Sequence, residues 1–199
     1  DVAPSRGLGD VYKRQFQYYY DNLELFDFHC IEWHWHREFE FLYVESGQVT
    51  CGIGEKQIIL SEGEAIFINS KILHRFYAPS GGIIPNFVCM PEFIAPENSL
   101  IYKKYILPII SSNISFQCFR TDESWQVKII QIMIKIIEIQ ENEEIRELAT
   151  FALLQNLWLI FYENVKISGK EEAQTVDEAA QKRVQLMMPV SYTHLTLPT

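Results

Sequence analysis

Between residues 25 and 90 the chain runs in short apolar and aromatic segments separated by turn signals. These signals stand at 46–47, 52–55, 61–63 and 79–82. Apolar runs of about four to eight residues bounded by such turns are typical of antiparallel β-strands. Seven or so strands, which indicate a barrel or a jelly roll, are predicted at 25–30, 38–45, 48–52, 57–60, 65–69, 74–78 and 84–90.

After residue 98 the pattern changes. Residues 99–106 predict a short helix that Pro108 stops, and 116–119 predict one returning strand. Two long helices should follow, at 123–140 and 143–164. Asp122 and Asn142 are the expected N-caps of these two helices, because their side chains can accept hydrogen bonds from the first free N–H groups.

The predicted fold is therefore mainly β with C-terminal helices. A jelly-roll barrel over residues 16–119 should be followed by an antiparallel helix pair over 120–166. The segment 167–188 reads as a linker, around Gly169, and the start of a further helix.

Both long helices carry apolar residues on more than one side. One side can pack on the barrel, and the other needs a partner. A second copy of the chain in a two-fold dimer is the partner we favour, and the alternative is a larger helical core within one chain. The residues expected in the dimerisation helices are Ile129, Ile132, Ile136, Leu153, Leu157 and Phe161.

His34, His36 and Glu40 stand at even spacings, so they share one face if the strand is regular from 33 to 44. His74 follows in a later predicted strand. Such groups inside a barrel can contact a small effector, ligate a divalent transition metal or hold the barrel through hydrogen bonds. We rank the three interpretations in that order. The aromatic residues at the odd-numbered positions lie on the opposite face, where they should pack against the second sheet or the helices and carry no chemistry: Trp33, Trp35, Phe39, Phe41 and Tyr43.

Two spacings, His34-x-His36-x3-Glu40-x6-Gly47 and Gly63-x5-Asn69-x4-His74, resemble the two cupin motifs. The sequence departs from them where Phe28 replaces a usual glycine and where Asn69 and Lys71 replace a usual proline and glycine. Residues 25–164 as a whole resemble the amino-terminal domain of AraC/XylS-type transcription regulators. The segments that carry this resemblance are 34–36, 38–46, 63–70, 73–76 and 101–105.

The resemblance implies a small effector, often a sugar or sugar-like molecule, bound in the barrel by His34, His36, Glu40 and His74. It also implies a homodimer and a downstream DNA-binding half with two helix-turn-helix units. Residues 180–188 resemble the helix that leads into that half. The chain would then be a cytoplasmic bacterial regulator and not an enzyme, with no catalytic residue and no cofactor.

Two rival interpretations stay open. In the first, the chain is a metal-dependent cupin enzyme, such as a dioxygenase, isomerase or epimerase, and the same four residues hold iron, manganese or zinc. In the second, it is a dimerisation module whose barrel is filled by aromatic side chains.

The formal net charge is −9, and an acidic domain repels DNA, so this portion should not bind nucleic acid alone. The four cysteines show no CxxC spacing, which favours reduced thiols in a cytosol. Charged and amide side chains interrupt both long apolar segments and argue against a membrane span.

Both ends of the sequence look foreign. Residues 10–15 can be encoded by GAT GTG TAT AAG AGA CAG, a transposon end used in sequencing libraries, and residues 190–195 can be encoded by its reverse complement. We therefore expect residues 1–15 and 189–199 to be an adapter-derived leader and tail, and we exclude them from fold reasoning. The DNA-binding domain would then be truncated after residue 188.

Overall fold

A computed structural model describes residues 15–165 of the chain. Within this range the chain forms nine β-strands, and every pairing between them is antiparallel. They are β1 (Phe16–Asn22), β2 (Cys30–His34), β3 (Phe39–Tyr43), β4 (Ser46–Ile53), β5 (Lys56–Ser61), β6 (Ala65–Ile68), β7 (His74–Tyr77), β8 (Gly82–Cys89) and β9 (Phe116–Phe119).

The strands form two sheets that share β4. The first sheet has the order β1-β8-β3-β6-β9, and the second has the order β2-β7-β4-β5. β4 begins in the first sheet, where Ser46 pairs with Ile83, and ends in the second, where Ile53 pairs with His74. This arrangement confirms the predicted jelly roll.

Four α-helices follow the β8 strand: α1 (Pro91–Ile94), α2 (Leu107–Ile110), α3 (Ser124–Ile139) and α4 (Arg146–Asn164). A π-helical turn, Tyr102–Ile106, leads into α2. The expectation that Pro108 ends this helix is wrong. Pro108 stands in the first turn of α2, where its missing N–H is not needed.

Strand β3 separates two apolar cores because successive side chains point to opposite faces. Leu42 lies in the interior core between the sheets. Phe39 and Phe41 lie in an outer core between the first sheet and the helices, and both are fully buried. The Phe39 ring stacks on Trp158 of α4 with 4.9 Å between ring centroids. The contact confirms that Phe39 packs against the helices, and Phe41 lies in the same core.

The residues predicted for the dimer interface mostly belong to this outer core. Ile129, Ile136, Leu157 and Phe161 are fully buried within one chain, Ile132 is 7 % exposed, and Leu153 is half-buried. Because their own chain already covers them, a larger helical core within one chain explains these residues better than an interface does. The exposed apolar residues of α4 are Leu148, Phe151 and Leu159.

Several predicted boundaries are wrong. Residues 25–30 were expected to form a strand, but most of them lie in two 3-10 turns, Leu23–Leu25 and Asp27–His29. Strand β1 was not predicted. α3 and α4 begin later than expected, and neither has a side-chain cap. Asn142 instead closes a turn before α4, where its Oδ1 accepts a hydrogen bond from the Glu144 N–H at 3.2 Å.

In the part of the chain that the structure describes, no helix is both long and apolar enough to cross a bilayer. The four cysteines are free thiols, and Cys51 and Cys89 are buried. The predicted leader, apart from residue 15, and the predicted linker and tail lie outside the described residues.

Two positions where the sequence departs from the cupin motifs keep the backbone conformation that glycine favours. Phe28 has φ +56° and Lys71 has φ +63°, both in the left-handed region. A side chain with a Cβ atom is strained there, at a cost of about 1–2 kcal/mol. This conformation also explains why residues 25–30 do not form a strand.

We expect Phe28→Gly to stabilise the fold by about 0.5–1 kcal/mol, because glycine relieves the left-handed strain while it loses more chain entropy on folding. Phe28 is 92 % exposed, so the change removes almost no packing. Chemical denaturation measures the free energy of unfolding. Phe28→Ala is the control, since it keeps Cβ and should give no gain; equal stabilisation by alanine would contradict the strain argument.

Candidate ligand and metal site in the barrel

The barrel interior brings His34, His36, Glu40 and His74 together at one end. His34 ends β2, Glu40 lies in β3, and His74 begins β7. The condition of one regular strand from 33 to 44 is not met, because β2 and β3 lie in different sheets and a connection of residues 35–38 holds His36. Even so, one ligand atom from each of the four residues lies within 4.8 Å of the others.

The carboxylate of Glu40 is the centre of this cluster. Its Oε2 atom lies 2.9 Å from His36 Nε2 and 2.9 Å from His74 Nε2. Glu40 and His74 are fully buried, and His34 and His36 are 9 % and 7 % exposed. A buried carboxylate without partners is costly, so the two imidazoles are what allow Glu40 to lie here as an anion.

Backbone carbonyl groups orient all three imidazole rings. The Nδ1 atoms of His34, His36 and His74 lie 2.8, 3.2 and 2.8 Å from carbonyl oxygens two residues away along the chain. A carbonyl oxygen can only accept, so each Nδ1 carries a proton. The Nε2 atom of a neutral ring then presents its lone pair to the centre of the cluster.

Two electrostatic states satisfy this geometry. In the first, His36 and His74 are protonated on both nitrogens and donate to Glu40. In the second, a cation sits among the Nε2 lone pairs and the carboxylate. Three nitrogen ligands and one carboxylate oxygen suit a divalent transition metal, and Nδ1–H groups held by carbonyls are the usual outer-shell support of metal-bound histidine. The four residues therefore fit such an ion.

The ionisable groups of the cluster influence one another strongly. Burial alone would raise the pKa of Glu40, but the charges and hydrogen bonds of His74 and His36 outweigh burial and hold it well below its usual range. Burial, together with the charge of nearby His74, lowers the pKa of His34 to about 3. Burial also lowers the pKa of His36, but the hydrogen bond and charge of Glu40 raise it more, so it lies above its ordinary value.

Most of the interior around the polar cluster is apolar. The residues next to it along the inner faces of the strands are buried, and they include Leu42, Ile66, Phe76 and Phe116. Two phenylalanine rings thus fill part of the barrel, as the dimerisation-module interpretation expects. The polar end offers a ligand both charge and hydrogen bonds.

Asn86 and Asp21 form a second pair of polar residues inside the barrel, which the sequence pattern did not predict. Asn86 lies in β8 and donates to Asp21 of β1 over 2.8 Å. Asn86 stands between the apolar residues Ile84 and Val88 at the inward-facing parity of this strand. A polar residue at an inward-facing position of a strand indicates a buried hydrogen bond. Its partner could not be named, because strand β1 was not predicted.

The barrel has the cupin fold. Residues 30–84 match the Cupin domain family. The facing antiparallel sheets followed by helices agree with that match.

Similar proteins include transcription regulators. The chain is 26 % identical over 141 residues to the uncharacterized HTH-type transcriptional regulator YdeC of Bacillus subtilis (strain 168), covering 68 % of this chain and 46 % of that protein. The chain thus spans about half the length of this curated relative.

Solved structures of ToxT from Vibrio cholerae share the fold. One at 1.65 Å resolution has a TM-score of 0.54 and 13 % identity, covering 87 % of this chain and 64 % of ToxT. Another, of ToxT bound to (E)-4-(8-methylnaphthalen-1-yl)but-3-enoic acid, has a TM-score of 0.51 and 12 % identity over the same shares. These likenesses extend the fold match beyond the barrel to the helices.

We expect His34 and His36 to titrate differently in the chelator-treated chain. His34 should stay neutral down to about pH 3, because burial disfavours its charge. His36 should titrate above the ordinary value of about 6.5, because Glu40 stabilises its charged form. Histidine ring NMR resonances followed against pH measure both values. A normal titration of His34 near pH 6.5 would contradict the burial argument.

Proposed function

We propose that this chain is the effector-sensing and dimerisation part of a cytoplasmic bacterial transcription regulator of the AraC type. The barrel would bind a small molecule at its polar end, and DNA contacts would belong to a helix-turn-helix domain downstream. The observation that carries this proposal is the likeness to the HTH-type regulator YdeC, which covers 68 % of this chain. ToxT shares the fold over 87 % of this chain, which is more than the barrel alone.

A small-molecule effector suits the buried polar cluster. His34, His36, Glu40 and His74 are the polar groups through which we expect the barrel to contact it. ToxT, which shares the fold, has been solved with a small organic acid bound. Binding would act on the regulator through its different affinity for two states of the protein, and such coupling is typically about 1–3 kcal/mol.

A homodimer would use the exposed apolar stripe of α4 and not the residues buried in the outer core. Leu148, Phe151 and Leu159 are 74 %, 41 % and 56 % exposed. Their spacing places all three on one face of the helix, with Leu148 and Phe151 on neighbouring turns and Leu159 about two turns further along. Apolar groups grouped in this way on a surface mark interaction sites more often than single exposed residues do.

We expect the chain to be a dimer in native mass spectrometry and Leu159→Glu to weaken the dimer at least tenfold, since the change places a charge in an apolar contact. Leu25→Glu is the matched control, because Leu25 is 63 % exposed but lies in a 3-10 turn beside the barrel. A monomeric parent chain would overturn the dimer. Equal weakening by both variants would overturn the assignment to α4.

A second candidate is a metal-dependent cupin enzyme, and one observation favours it: the four converging ligand atoms with carbonyl-held Nδ1–H groups. A bound metal would supply Lewis-acid chemistry. In that case His34, His36, Glu40 and His74 would hold the ion, and the apolar interior would exclude water around it.

Elemental analysis of the purified chain separates the two candidates. The regulator proposal with no cofactor expects far less than one metal ion per chain. About one transition-metal ion per chain, lost in His34→Ala, would favour the metal site and the enzyme. His29→Ala is the control variant, because His29 lies at the surface and hydrogen-bonds to the Pro79 carbonyl outside the cluster.

A further inference from the structure

Asn86 has a buried amide group whose orientation is fixed by its neighbours. The side chain is 1 % exposed. Nδ2 donates to Asp21 Oδ2 at 2.8 Å and to the Ile84 carbonyl at 3.0 Å. Both partners are acceptors, so the nitrogen and not the oxygen must face them. Oδ1 is therefore directed away from them, and within residues 15–165 it meets no hydrogen-bond donor.

A second buried acceptor lies nearby. Leu42 pairs with Asn86 and Glu40 pairs with Val88, which makes Glu40 and Asn86 diagonal neighbours on the inner face of the first sheet. Diagonal neighbours lie about 7–8 Å apart, within reach of one small molecule. The Oε1 atom of Glu40 is also buried, and within the described chain it has no hydrogen-bond donor. Buried polar atoms in native proteins are nearly always paired. Two unpaired acceptor atoms on diagonal neighbours therefore point to a missing hydrogen-bond donor.

The surroundings define the chemistry of that donor. Tyr19 of β1 stands directly opposite Asn86. Asp21 lies on the same face of β1 as Tyr19, opposite Ile84. Burial and the charges of Asp21, Glu38 and Glu40 raise the pKa of Tyr19 to about 12. Oxygen acceptors and negative charge together disfavour an anion and favour hydroxyl or amine groups.

We propose that Asn86, Asp21 and Glu40 form a subsite that binds a hydrogen-bond-donating, non-anionic part of the effector, such as a vicinal hydroxyl pair or an amino alcohol. This subsite rests on the proposed sensor function. It gives the barrel a preference that the histidines alone would not produce. A hydroxyl group donates to Asn86 Oδ1, and its neighbour donates to Glu40 Oε1.

Two matched probes test the subsite. Glycerol and glycerate differ at one carbon, where a hydroxymethyl group becomes a carboxylate. Each is titrated into the 15N-labelled, chelator-treated chain, and the Asn86 side-chain amide resonances are followed. Asn69 is the internal control, because its buried Nδ2 donates to the Ile109 and Ile114 carbonyls and its Oδ1 accepts from Ser70.

We expect glycerol to shift the Asn86 amide saturably and leave Asn69 unchanged, with glycerate binding at least tenfold more weakly. Asn86→Leu should weaken glycerol binding at least tenfold. If that variant does not fold, the shifts in the parent chain, assigned by triple-resonance experiments, decide alone. Equal binding of both probes, or no shift at Asn86, would overturn the subsite.

The outcome is distinguishable from failure of the proposed function. Shifts of the His34 or His36 ring resonances without a shift of Asn86 would show a barrel that binds small molecules elsewhere and would overturn only the subsite. A glycerol shift at Asn86 in a chain that proves monomeric would support the subsite and overturn the dimer.

Discussion

The burial of β3 on both faces is the constraint on which the rest of the structure depends. Phe39 and Phe41 are buried in the outer core on one face, and Glu40 and Leu42 are buried inside the barrel on the other. A strand that is buried on both sides cannot slip by one residue, because a slip would exchange a carboxylate for a phenyl ring. The register of β3 against β6 and β8 is thereby fixed, and the position of Glu40 with it.

The placement of Glu40 has an electrostatic consequence. A fully buried carboxylate needs positive partners, and the structure provides them from β7 and from the connection before β3. Local backbone carbonyls set the orientation of the rings. The histidine side chains would therefore need to move little to exchange bound protons for a metal ion. Protons on the rings and a metal ion are therefore alternative positive partners for the same carboxylate.

Much of this architecture follows from sequence periodicity. Six of the seven predicted strands, the returning strand β9 and the two long helices are present, because alternation and helical spacing are local signals. The convergence of His34, His36, Glu40 and His74 was also predicted, although the condition of one regular strand is not met. The left-handed Phe28, the late starts of α3 and α4 and the pairing of Asn86 with Asp21 could not be predicted. Each depends on contacts between distant segments or on strain that the fold tolerates.

Alternate residues of β3 face the barrel interior and the outer core, so the backbone of this strand separates the two. Any tilt of the strand that moves Glu40 within the barrel also moves Phe39, whose ring stacks on Trp158 of α4. Close-packed aromatic layers have little room to absorb such a tilt, and Phe67 of the neighbouring strand β6 also packs on α4, with 4.7 Å between its ring centroid and that of Phe161. The carboxylate inside the barrel and the helix outside it are therefore separated by one layer of strands and rings.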